Sequence, residues 1–206
     1  MAIIVNYATL QTAIGDYLNR SDLTSFLPNF TQACEMRLYR DLRIRAMETD
    51  LSVTISGGVA AVPTSPIFLD LKYAYVNTVP IKSLDRVPPD DVYARFPVRQ
   101  GVSEIPTVIA VEGSNFIFGP YPGDYNIKGI YYTRFAPLSA SNTTNWFTIN
   151  ATDALLYGSL LEAAPFLGAD ARIPTWQIAF DRAIESIKRE ETRARTSGGS
   201  IAARLG

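Results

Sequence analysis

The residues of this chain that could do chemistry are few. The 206-residue sequence contains no histidine and a single cysteine, Cys34. Without imidazole, catalysis by a Ser-His-Asp or Cys-His arrangement is excluded, as are zinc sites that require a histidine ligand. Cys34 falls on the apolar stripe of a predicted helix, so we expect a small buried side chain rather than a nucleophile.

Pairs of neighbouring carboxylates are the remaining basis for an enzyme. They are Glu48 with Asp50, Asp90 with Asp91, and Glu190 with Glu191. A glycosidase would need two carboxyl groups roughly 5 to 9.5 Å apart across a cleft. Each pair also has a structural interpretation: a strand entry, the first turn of a helix and a solvated helix face. Because the sequence has no phosphate loop, dinucleotide glycine motif or metal-ligand cluster, we predict a non-enzymatic protein without cofactor or metal.

A monomeric carbohydrate- or protein-binding module is a second alternative, and it depends on tyrosines in the middle of the chain. Those that could form a sugar-binding platform are Tyr73, Tyr75, Tyr121, Tyr125, Tyr131 and Tyr132. Aromatic residues in strands more often belong to the core or to cross-strand pairs. The tyrosines alone therefore do not decide between a platform and a core.

The composition indicates a folded protein whose net charge produces no strong electrostatic field. Apolar residues make up 47% of the chain and charged residues 19%, which is typical of globular proteins. The net charge of -1 gives no general attraction to nucleic acid or to an anionic membrane. No run approaches the roughly 18 to 20 apolar residues that span a bilayer, and the start lacks a cationic signal flank. We expect synthesis in a cytosol-like compartment and no membrane association.

Hydrophobic periodicity predicts an α+β protein with helical ends and a β-rich middle. Residues 1–47 and 145–196 show helical spacing and should form an α-helical bundle from the N- and C-terminal helices. Residues 48–144 contain short β-branched and aromatic runs broken by Gly and Pro, which predict an antiparallel insert of four to six strands, either barrel or sandwich. A Ser-Gly-Gly-Ser joint predicts a flexible C-terminal tail at residues 197–206.

Glycine and proline also predict three local features. Pro28 would lie well inside a helix that began at Ser21 or Asp22, so we expect a short helical turn at residues 23–27 and a helix that restarts with Pro28 in its first position. The pair Gly57-Gly58 predicts a tight hairpin turn toward residues 59–62. Residues 88–95, which begin Pro-Pro-Asp-Asp, predict a short surface helix with acids in its first turn.

Two charged regions of the helical ends could contact other molecules. The second helix ends in a charged face formed by Arg37, Arg40, Asp41, Arg43 and Arg45. This face predicts a surface between subunits, although the same residues could simply be solvated. Residues 188–195 are polar on every side, so the last helix either protrudes into solvent or packs on another molecule. The tail is either a frayed end or a peptide that orders on a partner.

The helical ends also contain three characteristic stretches: residues 17–23 (YLNRSDL), residues 35–43 (EMRLYRDLR) and residues 145–167 (NWFTINATDALLYGSLLEAAPFL). In this order, and followed by a helix and a Gly-Ser tail, they resemble the head-to-tail adaptor proteins of short-tailed bacteriophages. These proteins are also called connector or tail tubular proteins. The β-rich middle matches that family in character only.

The resemblance implies a structural protein that is synthesised in the host cytoplasm and lies in the neck or tail region of the virion. Twelve copies would form a ring between the portal protein and the tail nozzle, and DNA would pass through its channel without specific binding. The insert would lie where the nozzle or tail fibres attach. The resemblance assigns portal binding to the end of the last helix and the tail, through Arg193, Arg195, Ser200, Ile201, Arg204 and Leu205.

Overall fold

The computed structural model describes residues 3–101, 103–168 and 170–196. In this part of the chain the protein is mixed α+β, as the sequence predicts, and it divides into two compact units at residues 46/47 and 134/135. The helices are α1 Tyr7–Leu18, α2 Leu27–Asp41, α3 Pro89–Arg95, α4 Trp146–Asn150, α5 Thr152–Glu162, α6 Ala164–Leu167 and α7 Ile173–Thr196. The strands are β1 Glu48–Thr54, β2 Val59–Ala61, β3 Phe68–Val76, β4 Lys82–Arg86, β5 Val108–Glu112, β6 Asn115–Gly119 and β7 Asn126–Thr133.

The helical unit contains residues 135–144, which the sequence analysis placed in the β-rich insert. Phe135 is the reason for the difference. Its ring packs on Tyr39 of α2 and on Phe147 of α4, with centroid distances of 6.3 and 5.3 Å. The Tyr39 hydroxyl also donates a hydrogen bond to the Phe135 carbonyl at 3.1 Å. These contacts hold residues 135–144 against the helices. The sequence shows no periodicity from which they could be predicted.

Capping residues and a proline set the ends of the first two helices. The Asn6 side chain accepts from the Thr9 N–H at 2.9 Å and the Thr9 hydroxyl oxygen accepts from the Asn6 N–H at 3.0 Å, which is a capping box. Asn19 adopts the left-handed conformation, with φ of 51°, and ends α1. A 3-10 turn at Ser21–Phe26 follows, and Pro28 lies in the first turn of α2. The predicted break and restart of the helix is confirmed.

Close packing of α5 against α2 and α7 depends on a missing side chain. A Cβ atom built on Gly158 would lie 2.3 Å from the Cys34 sulfur and 2.9 Å from Cε2 of Phe180. Both neighbours are buried in the core. Only glycine therefore allows the helices to approach this closely.

A buried polar network connects α2 to the start of α4. Glu35 is 2% exposed, and its carboxylate accepts from the Asn145 side-chain amide at 2.7 Å and from the Leu138 N–H at 3.2 Å. Asn145 is also the N-cap of α4, where its side-chain oxygen accepts from the backbone N–H groups of Phe147 and Thr148. Burial raises the pKa of Glu35, and the two hydrogen bonds offset this only in part.

The second unit contains a seven-stranded, nearly closed sheet in the order β1-β7-β3-β4-β5-β6-β2. Its core includes Leu51, Val76, Phe116, Phe118 and Ile127, which alternate along their strands with residues of the opposite face. On β6 that opposite face is also buried, because Ile117 packs in a second cluster with Val92. The short helix predicted from the Pro-Pro-Asp-Asp sequence is present as α3. It packs on β5 and β6 through Val92. The unit thus buries its own core.

Two expectations for this sheet were wrong, and a third holds only in part. The strands number seven among the described residues, because β4 carries charges at Lys82, Asp85 and Arg86 and buries only Leu84. The β4–β5 pairing is parallel, whereas the sequence predicted antiparallel strands throughout.

The tight turn predicted at Gly57–Gly58 is present, because Ser56 and Val59 exchange two backbone hydrogen bonds across it. The strands on either side of the turn do not continue this pairing, since β1 pairs with β7 and β2 with β6.

Substitution of Gly158 tests the close approach of the helices. Gly158→Ala should lower the free energy of unfolding by about 1 to 3 kcal/mol, because the added methyl group overpacks the core. Gly15→Ala is the matched control, since a Cβ at Gly15 in α1 meets only Leu27 Cδ1, at an ordinary 3.7 Å. That variant should gain up to about 1 kcal/mol from helix propensity. Chemical denaturation measures both, and a gain at both sites would contradict the packing described.

The pH dependence of stability tests the burial of Glu35. A raised folded-state pKa means that the folded protein holds this proton more tightly than the unfolded chain does. The contribution of Glu35 is therefore fully present below the usual glutamate pKa of about 4.3 and is lost as the pH rises through the raised value. Glutamine does not titrate, so the Glu35→Gln variant has no such contribution to lose. The free energy of unfolding of this variant, relative to that of the wild type, should therefore increase from acid to neutral pH. Parallel profiles of the two proteins would contradict this account.

Candidate functional site

The charged end of α2 is stabilised by one of its own arginines. The helix ends at Asp41, and the next residue, Leu42, is extended. The Arg43 guanidinium then turns back and donates to the carbonyls of Tyr39 at 2.5 Å and Leu42 at 2.7 Å. A cation at this position satisfies carbonyls that the helix leaves open and complements its dipole.

Glu191 of α7 joins this helix end to the C-terminal part of the last helix. Its carboxylate accepts from the Arg45 backbone N–H at 3.1 Å and from Nε of Arg195 at 3.2 Å, and it lies 3.8 Å from Nε of Arg45. The Glu191 side chain is only 14% exposed. We call this arrangement the Glu191 clamp. It explains why α7 continues to Thr196 after its apolar stripe has ended.

A groove of about 280 Å³ lies beside the clamp. Its apolar wall includes Ile44, Trp146 and Ile187, and its charged rim includes Glu190 and Arg45. Trp146 is held in place by stacking on Phe135, with ring centroids 6.2 Å apart. Apolar walls with a charged rim suit a protein segment better than a reaction centre.

The five residues predicted as a subunit interface have different surroundings. Arg37 lies 3.9 Å from Glu162 and 4.4 Å above the ring of Phe180, so it packs α2 against α5 and α7. Arg43 and Arg45 are engaged as described above. Arg40 and Asp41 are exposed, and within the described part of the chain their side chains have no hydrogen bond or ion pair. Of the predicted set, these two are the most available to another molecule.

The predicted portal-binding residues are only partly described. Arg193 and Arg195 lie exposed on the last turns of α7. Ser200, Ile201, Arg204 and Leu205 lie outside the described residues. The structure brings Arg195 together with Arg45, through the Glu191 clamp, although the sequence analysis assigned these two arginines to different interfaces.

The thiol considered for catalysis is buried in the core, and several of the carboxylates are engaged in ion pairs. Cys34 is completely buried, and burial raises the pKa of its thiol to about 12, which confirms the prediction of a small core side chain. One member of each acidic pair is in an ion pair: Glu48 with Lys72 at 2.7 Å, Asp91 with Arg95 at 3.0 Å, and Glu191 in its clamp. Within the described residues, no cluster of His, Cys, Asp or Glu could hold a metal ion, and no helix is long and apolar enough to cross a membrane.

The tyrosines do not form the platform considered in the sequence analysis. Tyr131 and Tyr132 are buried in the sheet unit. Tyr75, Tyr121 and Tyr125 are partly buried, and Tyr73 on β3 is the exposed member of the set. A sugar-binding surface needs several aromatic faces open to solvent, and this set offers one.

Sequence reasoning missed the structural roles of two residues of the helical unit, Glu35 and Glu191. Glu35 had a signal, because it is a charged residue on the buried side of α2, beside Cys34 and three positions before Leu38. The i, i+4 spacing of Glu191 and Arg195 indicated one half of the clamp. The other half joins residues that are 146 positions apart, which spacing along the chain cannot reveal.

Comparison with known proteins identifies the family of this chain. A family model described as SU10 adaptor protein matches residues 5–204, which include both helical ends and the sheet unit. No curated protein sequence matches the chain. The matched family is a phage adaptor family, which agrees with a structural surface rather than a reaction centre. The chain belongs to the SU10 adaptor protein family.

Proposed function

We propose that this protein is a neck adaptor of the virion, which forms a ring between the portal protein and the tail nozzle. The observation that carries this proposal is the family match over residues 5–204. Twelve copies would surround the channel through which DNA leaves the capsid. The bundle of N- and C-terminal helices would form the wall of the ring, and the sheet unit would meet the nozzle or tail fibres.

The end of α2 supports a contact between copies. Arg40 and Asp41 are neighbouring charges of opposite sign, both exposed and neither engaged within the described residues. A ring needs contacts between two different faces of each subunit, and such a charge pair can meet complementary charges on the next copy. Arg43 fixes the backbone beneath them, so the pair is held in place before assembly.

The Glu191 clamp supports a contact with the portal. It attaches the last turns of α7 to the end of α2, so the described part of the chain ends at a fixed point. A short segment that starts from a fixed base has less freedom to lose when it binds. The tail, with Ile201, Arg204 and Leu205, is the segment we assign to the portal.

The overall charge suits a channel for DNA. Each phosphate that a protein neutralises adds to a salt-dependent grip. With 19 basic and 20 acidic residues, the chain has no excess of cations to hold DNA that must move past it. Co-sedimentation of the purified protein with its portal tests the proposal directly. A protein that stays monomeric and unbound in the presence of the portal would overturn it.

Charge reversal at the end of α2 separates assembly from stability. Arg40→Glu should reduce assembly on the portal by about tenfold or more, the equivalent of roughly 1.4 kcal/mol, with little effect on the unfolding midpoint. Arg37→Ala should do the opposite and mainly destabilise, by about 1 to 2 kcal/mol, because it removes the contact with Phe180. Analytical ultracentrifugation with the portal and chemical denaturation measure the two effects. Full assembly of Arg40→Glu would remove this face from the proposed interface.

Deletion of residues 197–206 tests the portal assignment. The truncated chain keeps Glu191, Arg195 and the clamp, so its unfolding midpoint should equal that of the full chain. Its affinity for the portal should fall by at least about tenfold if the tail supplies one anchoring side chain. Arg20→Ala is a surface control, since Arg20 pairs only with nearby Asp22 among the described residues. Equal portal affinity of the truncated and full chains would show that the tail is only a frayed end.

A further inference from the structure

The β3–β4 connection in the sheet unit is an exposed apolar projection. Residues 77–81 read Asn-Thr-Val-Pro-Ile and contain no charge. Val79 is fully exposed and Ile81 is 64% exposed. The Thr78 hydroxyl donates to the Pro80 carbonyl at 2.8 Å and the Thr78 N–H donates to the Val76 carbonyl at 2.9 Å. These bonds shape the tip without covering its apolar side chains, so the tip is ordered and open to solvent.

The same unit also has a largely apolar groove of about 290 Å³, lined by Phe96, Pro97, Val98, Pro120 and Tyr121 together with two charged residues, Arg95 and Glu104. Arg95 is paired with Asp91 of α3 at 3.0 Å. Phe96 is pressed onto the sheet, since a Cβ on Gly119 would lie 2.3 Å from its ring. Arg99 donates to the Phe118 carbonyl at 2.6 Å and lies 5.4 Å from the centre of the Tyr121 ring. The groove walls are therefore fixed, while Val98 remains 58% exposed.

We infer that the Val79–Ile81 tip of one copy inserts into the Val98 groove of a second copy. The groove is at the lower limit of small-molecule sites, which are roughly 300 to 1,000 Å³, and its size suits one or two aliphatic side chains. Contiguous exposed apolar surface is typical of interaction sites, and the exposed side chains of Val79 and Ile81 lie two positions apart on one tip. Tip and groove are different surfaces of one chain, as a head-to-tail contact around a ring requires.

Charge at the edges of the two surfaces favours a second copy as the occupant. Lys82 follows the tip directly, and Glu104 lies on the rim of the groove. Both are exposed, and neither has an ion pair among the described residues. With the tip of one copy in the groove of the next, Lys82 can pair with Glu104 of that copy. The inference rests on the proposed ring, because it assigns a contact within it.

Disulfide trapping tests the contact. Val79→Cys and Val98→Cys are made as separate variants, mixed, assembled on the portal and mildly oxidised. Cys34 does not interfere, because it is fully buried and its thiol pKa is raised to about 12. We expect cross-linked pairs in the mixture and not in either variant alone. A mixture of Val79→Cys with Val59→Cys, an exposed position on β2, is the matched control.

Loss of the apolar tip gives an independent readout. Val79→Asp should raise the concentration needed for half-assembly by at least about tenfold, while the exposed neighbour Ser83→Asp on β4 should not. Normal assembly of Val79→Asp, or assembled rings without cross-links above the control, would overturn this inference and leave the proposed function standing. A chain that stays monomeric with the portal would overturn both.

Discussion

The buried carboxylate of Glu35 is the constraint on which the helical unit depends. A carboxylate at 2% exposure is tolerated only when its oxygens are satisfied, and here the Asn145 amide and the Leu138 N–H satisfy them. Because Asn145 also caps α4, one network fixes the position of α2, the segment around Leu138 and the start of α4. Two of the three stretches that resemble phage adaptors, residues 35–43 and 145–167, meet at this hydrogen bond.

The surface proposed for assembly follows from that arrangement. With α2 anchored at Glu35, its far end presents Arg40 and Asp41, while Arg43 closes the helix and the Glu191 clamp attaches α7 beside it. The charged residues at the end of α2 thus fall into two groups. Some make contacts within the subunit, whereas Arg40 and Asp41 remain available to a partner. The sheet unit contributes separate surfaces, so each unit can make its own contacts in a virion.

Sequence reasoning reached the elements with strong local signals and failed where pairing is distant. The helix break before Pro28, the helix at Pro89–Arg95 and the buried state of Cys34 follow from local chemistry. Strand β4 was not predicted, because it carries charged residues and contains only one buried leucine. The turn between β1 and β2 suggested that these strands pair with each other, but their partners are β7 and β6. The division between Arg37 and Arg40 also needed coordinates, because it depends on Phe180 and Glu162 in other helices.

The most direct test of the central claim is an averaged electron cryo-microscopy image of the capsid vertex with this protein bound. The account predicts a closed ring of copies directly below the portal, with the end of α2 at the contact between neighbouring copies and the C-terminal tail directed to the portal. Copies located elsewhere in the particle, or single copies without contact to one another, would contradict it.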